Sequence, residues 1–191
     1  FKTHFADDTH ILYRGSAEGV FEDVTLAAGL GVETRFVGWG AGIVDLDNDG
    51  WPDLFAATGQ VYPETEKFFD GYPYRSPRLL FRNLGNGRFE QLFEEAGPAI
   101  AAAHSSRGAA FGDYDNDGDV DILIMNRNQP PSLLRNDLPK GANWVQVRAP
   151  LGSRVTAIYG GRRQTQEVTS QASFYSANDS RLHFGLGGAT A

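Results

Sequence analysis

The chain has 191 residues, 41% of them hydrophobic and 21% charged, and a formal net charge of −7. That is enough apolar content for one good-sized core or two small ones, and too little bias for wholesale disorder. No apolar run approaches the ~20 residues of a membrane-spanning helix, and the absence of cysteine excludes disulfides, thiolate zinc sites and cysteine nucleophiles.

Glycine is the outlier, at 23 of 191 residues, about 12% against a usual ~7%. With nine prolines and short apolar bursts, this predicts a turn-rich β protein. Without disulfides, a small extracytoplasmic domain needs another staple, and a metal is the obvious one. The chain opens at Phe1 with no initiator Met and no signal-peptide pattern, and so reads as a processed product or a fragment.

In chain order, strands are predicted at about Ile11–Arg14 and Val20–Thr25. Four follow at Gly38–Val44, Leu54–Thr58, Arg78–Asn83 and Arg88–Phe93, the last two joined through an Asn86-Gly87 hairpin signal. Three more lie at Gly108–Gly112, Val120–Met125 and Ser132–Asn136, with a fourth partner less clear. An internal repeat underlies this order. At an offset of 68, Leu12-Tyr13-Arg14 falls on Leu80-Phe81-Arg82, Gly19 on Gly87, Phe21-Glu22 on Phe89-Glu90, Ala28-Gly29 on Ala96-Gly97, and Asp45 on Asp113. Leu133-Leu134-Arg135-Asn136 matches Leu80-Phe81-Arg82-Asn83 at an offset of 53, so the first unit carries 15 extra residues within Gly59–Pro77. Four-stranded repeats of this length suit propeller blades. Two and a half blades do not close a ring of about four to eight, so a protein partner or additional blades are expected to complete the arc.

Nine of the 24 acidic residues lie in two nine-residue windows, Asp45–Asp53 and Asp113–Asp121; outside them 15 acids face 17 bases. The acidity therefore belongs to two loops, and a nucleic-acid partner is not expected. Both windows read D-x-D-N-D-G-x-x-D. In such a loop the carboxylates at positions 1, 3 and 5 converge, glycine at position 6 allows the sharp turn, and the position-7 carbonyl points inward. Hard oxygen donors with no Cys or His alongside select Ca²⁺ over zinc or copper; the alternative is an acidic solvated turn. Position 12 is Ala56 or Ile124 rather than Glu, and strands rather than helices flank the loop, which excludes an EF-hand.

The acidic loop between strands, within repeats that also hold Leu-Phe-Arg-Asn-x-Gly-Asn-Gly-x-Phe, resembles the FG-GAP/VCBS repeats of integrin-α-type propellers, over residues 11–137. The resemblance implies a Ca²⁺ site on Asp45, Asp47, Asp49, Asp53 and the Trp51 carbonyl. It implies a second on Asp113, Asp115, Asp117, Asp121 and the Asp119 carbonyl, hence two Ca²⁺ per chain.

From Asn143 the repeat stops. Asn143–Val147, Arg154–Tyr159 and Gln164–Val168 alternate, with a tight Gly160-Gly161 turn between the last two, followed by Ser173–Ser176 and Arg181–Gly187. The stretches Asn143–Arg148, Arg154–Val168 and Leu182–Gly187 resemble the ASPIC/UnbV domain, which commonly follows such repeats in secreted bacterial proteins and in a cartilage acidic protein of animals. The linker Ala149–Ser153 is shorter than usual there, and the chain ends before the closing Trp-Pro-Ser-Gly-like stretch, so a last strand is expected to be missing or supplied from elsewhere.

The histidines give no catalytic pattern. His183 reads as structural, no nucleophile motif surrounds His104, and His4 and His10 are poorly spaced as ligands. The Gly59–Pro77 insertion carries Tyr62, Phe68, Phe69, Tyr72 and Tyr74, stiffened by prolines, and is the candidate partner-binding surface.

The expected fold is all-β: four-stranded propeller-type blades in a partial arc, followed by a small β-sandwich-like domain. The divisions are a partial blade at 1–31, a blade with the first loop and the aromatic insertion at 32–98, a second blade at 99–140, and an ASPIC/UnbV-like domain at 141–191. The expected function is a non-enzymatic, Ca²⁺-stabilised, extracytoplasmic (periplasmic, cell-surface or secreted) interaction or adhesion module. An accessory subunit of a larger extracytoplasmic or membrane-bound complex and a carbohydrate-binding propeller with a glycan partner are its rivals.

Overall fold

The computed structural model describes residues 1–139 and 141–189. The protein is all-β, built of antiparallel sheets, as the sequence predicts. A hairpin of β1 (Tyr13–Gly15) and β2 (Phe21–Asp23) comes first, exposed along its whole length. A four-stranded sheet follows in chain order: β3 (Gly38–Val44), β4 (Asp53–Thr58), β5 (Leu79–Asn83) and β6 (Phe89–Leu92). The next sheet has three strands, β7 (Ser106–Gly112), β8 (Asp121–Asn126) and β9 (Ser132–Leu134).

β4 shows why these sheets stack. Asp53-Leu-Phe-Ala-Ala-Thr58 is buried at every position, so the strand carries an unbroken apolar run where a half-exposed strand would alternate. Leu54 and Ala56 face one core with Ala28, Leu30, Phe36, Leu79 and Phe81. Phe55 and Ala57 face the other, packed on Ala109, Phe111, Ile122, Ile124 and Leu134 of the second sheet. Phe55 meets Phe111 edge to face, with ring centroids 5.8 Å apart. The far face of the second sheet is open, with Leu123, Met125 and Leu133 about half exposed.

The C-terminal segment forms two two-stranded ribbons. β10 (Asn143–Arg148) pairs with β13 (Arg181–Gly187), and β11 (Arg154–Tyr159) with β12 (Arg162–Glu167). They share a small core of Val168, Leu182 and Phe184, flanked by Val147, Val155, Ala157 and Leu186.

Several local expectations shift. Ser173–Ser176 makes a single bridge and no strand. β9 stops at Leu134 rather than Asn136, because Asn136 turns its backbone N–H onto the Asp121 carboxylate at 2.8 Å. β12 begins at Arg162, ahead of the predicted Gln164, and ends before Val168. In the β5–β6 connection the positive φ angles fall on Gly85 (73°) and Gly87 (81°) and not on Asn86, whose side chain accepts from the Arg88 N–H at 3.1 Å. Gly160 (φ 51°) and Gly161 (φ 77°) do form the two-residue turn. The Gly59–Pro77 insertion contains one helical turn, α1 (Thr65–Phe68). A second short helix, α2 (Pro98–Ala101), leads into the second sheet.

Candidate functional site

The two acidic loops join the first two strands of their respective sheets, β3 to β4 and β7 to β8. Their backbones repeat the same turn. Asn48 (φ 59°) and Gly50 (φ 85°) take the left-handed conformation in one, and Asn116 (φ 61°) and Gly118 (φ 96°) in the other. Asparagine and glycine are the residues that tolerate it at least cost.

In each loop this curl draws three carboxylates together. One oxygen each from Asp45, Asp47 and Asp49 lies within 4.8 Å of the others, and the same holds for Asp113, Asp115 and Asp117. The fourth acid of each loop serves the frame. Asp53 accepts the N–H of Leu46 at 3.0 Å and of Asn83 at 2.8 Å, and Asp121 accepts those of Tyr114 at 3.0 Å and Asn136 at 2.8 Å. Asn83 and Asn136 are the last residues of the Leu-Phe-Arg-Asn and Leu-Leu-Arg-Asn elements. That repeat was visible in the sequence, but its purpose, tying the loop to the third strand, was not.

The electrostatics of the first loop are strained without a cation. Burial, reinforced by Asp49 and Asp47, pushes the Asp45 carboxyl up to about 6, although the Gly50 and Asn48 N–H groups pull the other way. Burial also pushes Asp53 up to about 7, against hydrogen bonds from Asn83 and Leu46, and raises Asp49. In the second loop burial raises Asp121. Asp45 is only 5% exposed, and its Oδ1 has no hydrogen-bond partner while Oδ2 accepts from Gly50 at 2.8 Å. A buried carboxylate with one unpaired oxygen, on a residue that converges with two further carboxylates, is a costly arrangement that a hard cation relieves. The residues therefore fit a Ca²⁺ ion.

The C-terminal ribbons sit directly on both loops, which the sequence did not foretell. On the first, Arg162 donates to the carbonyls of Asp49 (3.0 Å) and Gly50, and Gln164 donates to the Gly50 carbonyl at 2.6 Å. The Arg162 guanidinium lies 3.8 Å from the centroid of the Trp51 ring. The Gly187 N–H donates to the Asn48 carbonyl at 2.8 Å. On the second, Gln146 donates to Asp113 Oδ2 at 2.9 Å, and Arg181 donates to Asn116 Oδ1 at 2.6 Å and to the Asp113 carbonyl at 2.5 Å. Trp144 lies flat on Gly118, where an added Cβ would sit 2.1 Å from its ring.

His183 links the two halves. Asn48 Nδ2 donates to the Gly118 carbonyl and to Asp119, each at 3.0 Å, so Asn48 Oδ1 is the acceptor for His183 Nε2 at 2.6 Å. His183 Nε2 then carries a proton, and burial lowers the pKa of the ring. Its other nitrogen lies 3.4 Å from Gln146 Nε2. A histidine thus does reach the loops, contrary to the sequence expectation. Its nitrogens serve Asn48 and Gln146, and the donor set stays all-oxygen. A cavity of about 420 Å³ runs between the ribbons and the sheets and touches both Asp45 and Asp113.

The aromatic insertion is divided. Tyr62, Phe68 and Phe69 are 62–75% exposed. Tyr72 hydrogen-bonds Asp7 and packs edge-on against Phe69, and Tyr74 is partly covered.

Two family models match the chain: the FG-GAP-like repeat over residues 71–124, and ASPIC and UnbV over residues 146–191, of which 190 and 191 lie outside the described residues. Among curated proteins, cartilage acidic protein 1 of Mus musculus is 32% identical over 91 residues, 44% of this chain and 14% of its own length. The Xenopus tropicalis protein of the same name is 28% identical over 117 residues, 61% of this chain and 16% of its own. The chain thus spans about one-seventh of the length of these relatives. The chain joins an FG-GAP-like repeat region to an ASPIC/UnbV domain.

Proposed function

We propose that this chain is a calcium-stabilised, extracytoplasmic protein-interaction module in which two structural Ca²⁺ ions fix the acidic loops as a platform for the ASPIC/UnbV domain. The ligands are Asp45, Asp47, Asp49, Asp53 and the Trp51 carbonyl in one loop. In the other they are Asp113, Asp115, Asp117, Asp121 and the Asp119 carbonyl. The observation that carries this reading is the buried, unpartnered Asp45 Oδ1 among converging carboxylates. The role is structural and not catalytic. The loops lie beneath the C-terminal ribbons, and the two metals act by stiffening what those ribbons rest on. We divide the chain accordingly at 31/32, 98/99 and 140/141.

Millimolar extracellular calcium suits such loops, since extracellular modules bind at about 10⁻⁴–10⁻³ M. The partner is a protein, and the exposed rings of Tyr62, Phe68 and Phe69 support a contact surface on the insertion, extended by Tyr72 and Tyr74. Elemental analysis of Asp47→Ala, Asp115→Ala and the double variant tests the ligand assignment. Each single change is expected to remove about one Ca²⁺ per chain, and unchanged stoichiometry in both would refute it.

A further inference from the structure

We infer that the open edge of β9, with the apolar groove beside it, is an acceptor for one extended β-strand of a partner polypeptide. The inference starts from a mismatch between two sheets built from one repeat. β5 and β9 correspond at the offset of 53, and β5 carries β6 on the side away from β4. β9 carries nothing there: among the described residues it is the last strand of its sheet. Asn136 turns its N–H toward β8, so by alternation the N–H groups of Leu133 and Arg135 point out of the free edge. Uncovered edges of this kind are pairing templates.

The space beside that edge is shaped for a strand. A groove of about 410 Å³ runs between β9 and the β5–β6 face; Leu80, Leu92, Ala96, Ala99, Leu134 and Leu138 form its apolar wall, and Asp47, Asp53, Glu90 and Glu95 also line it. It continues the established interface between the two sheets, because Ile100, Ile122 and Leu134 belong both to the groove wall and to that core.

The first sheet also states what the occupant must present. There Leu80 pairs with Leu92, Phe81 with Gln91, Arg82 with Glu90 and Asn83 with Phe89. Arg82 and Glu90 form an ion pair at 2.6 Å, and Phe89 packs into the core on that sheet's other face. Transferred to β9, the occupant runs antiparallel, sets an acidic residue opposite Arg135, and drops an apolar side chain opposite Asn136 into the groove. Among the described residues Arg135 forms its ion pair with its neighbour Asp137, an exposed contact that a strand can replace. Backbone pairing supplies affinity, and the acidic and apolar positions supply selectivity.

The test uses the full chain saturated with Ca²⁺ and, as probe, a fluorescent synthetic peptide with the sequence of residues 84–94, which carries the required pattern. Saturable binding is expected, with slower amide exchange at Leu133 and Arg135. N-methylation of the peptide at Glu90, whose N–H faces the acceptor, is expected to weaken binding at least tenfold, and N-methylation at Gln91 to leave it within twofold. Arg135→Glu is expected to weaken binding of the parent peptide and to be rescued by Glu90→Arg in the peptide, which also shows that the variant is folded. Any of three binding or exchange results overturns the proposal, as does a fourth outcome, self-association. The three are no saturable binding, equal loss from both N-methylations, or exchange changes confined to β5, which would mean displacement of β6. Concentration-dependent self-association that occludes the peptide would assign the edge to a second copy and likewise overturn it.

Discussion

The two acidic loops share their sequence at every patterned position yet sit in different electrostatic circumstances. In the second, Asp113 Oδ1 accepts from Asp117 and Oδ2 from Gly118 and Gln146, with the Arg181 guanidinium on the adjoining carbonyl. In the first, Asp45 Oδ1 is left bare, and burial forces the carboxyls of Asp45 and Asp53 upward. Two things distinguish them: the Asp117 N–H turns onto Asp113 in the second loop whereas the Asp49 N–H turns onto Asp47 in the first, and the ribbons bring Gln146 and Arg181 to the Asp113 end of the second loop but Arg162 and Gln164 to carbonyls of the first. Two loops with one motif thus differ in part through residues 33 to 114 positions away.

Four experiments sharpen this contrast, in descending order of expected effect. Chelation comes first. If each loop binds Ca²⁺ at about 10⁻⁴ M and the assay holds about 10 mM, each site contributes ~2.7 kcal/mol. At roughly 2–4 °C per kcal/mol for a chain of this size, that is a fall in melting temperature of ~10–20 °C for two sites. Asp47→Ala should remove more of it than Asp115→Ala, because the first loop has fewer compensating donors; equal losses would erase the distinction.

Next is Gly185→Ala. A Cβ there would lie 2.1 Å from Asp45 Oδ2 and 2.6 Å from the Asn48 backbone, so β13 must back away from the first loop. A loss of about 2–3 kcal/mol is expected, read by denaturant unfolding, with proteolysis showing a loosened C-terminal domain.

Arg162→Ala follows. It removes two donations to loop carbonyls and the stacking on Trp51, for about 1–2 kcal/mol. The effect should be larger in chelator than in Ca²⁺; the same loss in both conditions would show that Arg162 does not share the loop's charge with the metal.

The smallest effect is in pH. Carboxyls raised to about 6 and about 7 hold protons that the unfolded chain, at 3.8, does not. These two carboxyls therefore add ~1 kcal/mol of stability to the metal-free protein as pH falls from 8 to 6.5. His10, His104 and His183, all lowered by burial, oppose this within the same window, because the unfolded chain takes up their protons as pH nears 6.5. In Ca²⁺ the carboxyl contribution should vanish, since protons then compete with the metal, while the histidine contribution is common to both conditions. Chemical unfolding across that range in chelator and in Ca²⁺ reads the difference.

What was legible in the sequence was local or periodic. The D-x-D-N-D-G-x-x-D windows, the offset of 68 and the unbroken run of β4 all express constraints between near neighbours, and the loops and central strands stand where those patterns put them. The ribbon contacts were not legible. Arg162, Gln164, Gln146 and Arg181 stand in ordinary alternating strands, and nothing adjacent reveals that they meet residues 33 to 114 positions away. His183 was read as structural from its strand, but that it lies between Asn48 and Gln146 needed the fold. The Asn86-Gly87 signal found the hairpin yet misplaced its positive φ, because Gly85 two residues after Asn83 offered a cheaper left-handed position.

The most direct test of structural calcium at these loops is differential scanning calorimetry of metal-loaded and chelator-stripped protein, with bound Ca²⁺ determined on the same samples. The account predicts about two Ca²⁺ per chain and a fall in melting temperature of ~10 °C or more on stripping. No bound Ca²⁺ and superimposable melting curves would contradict it.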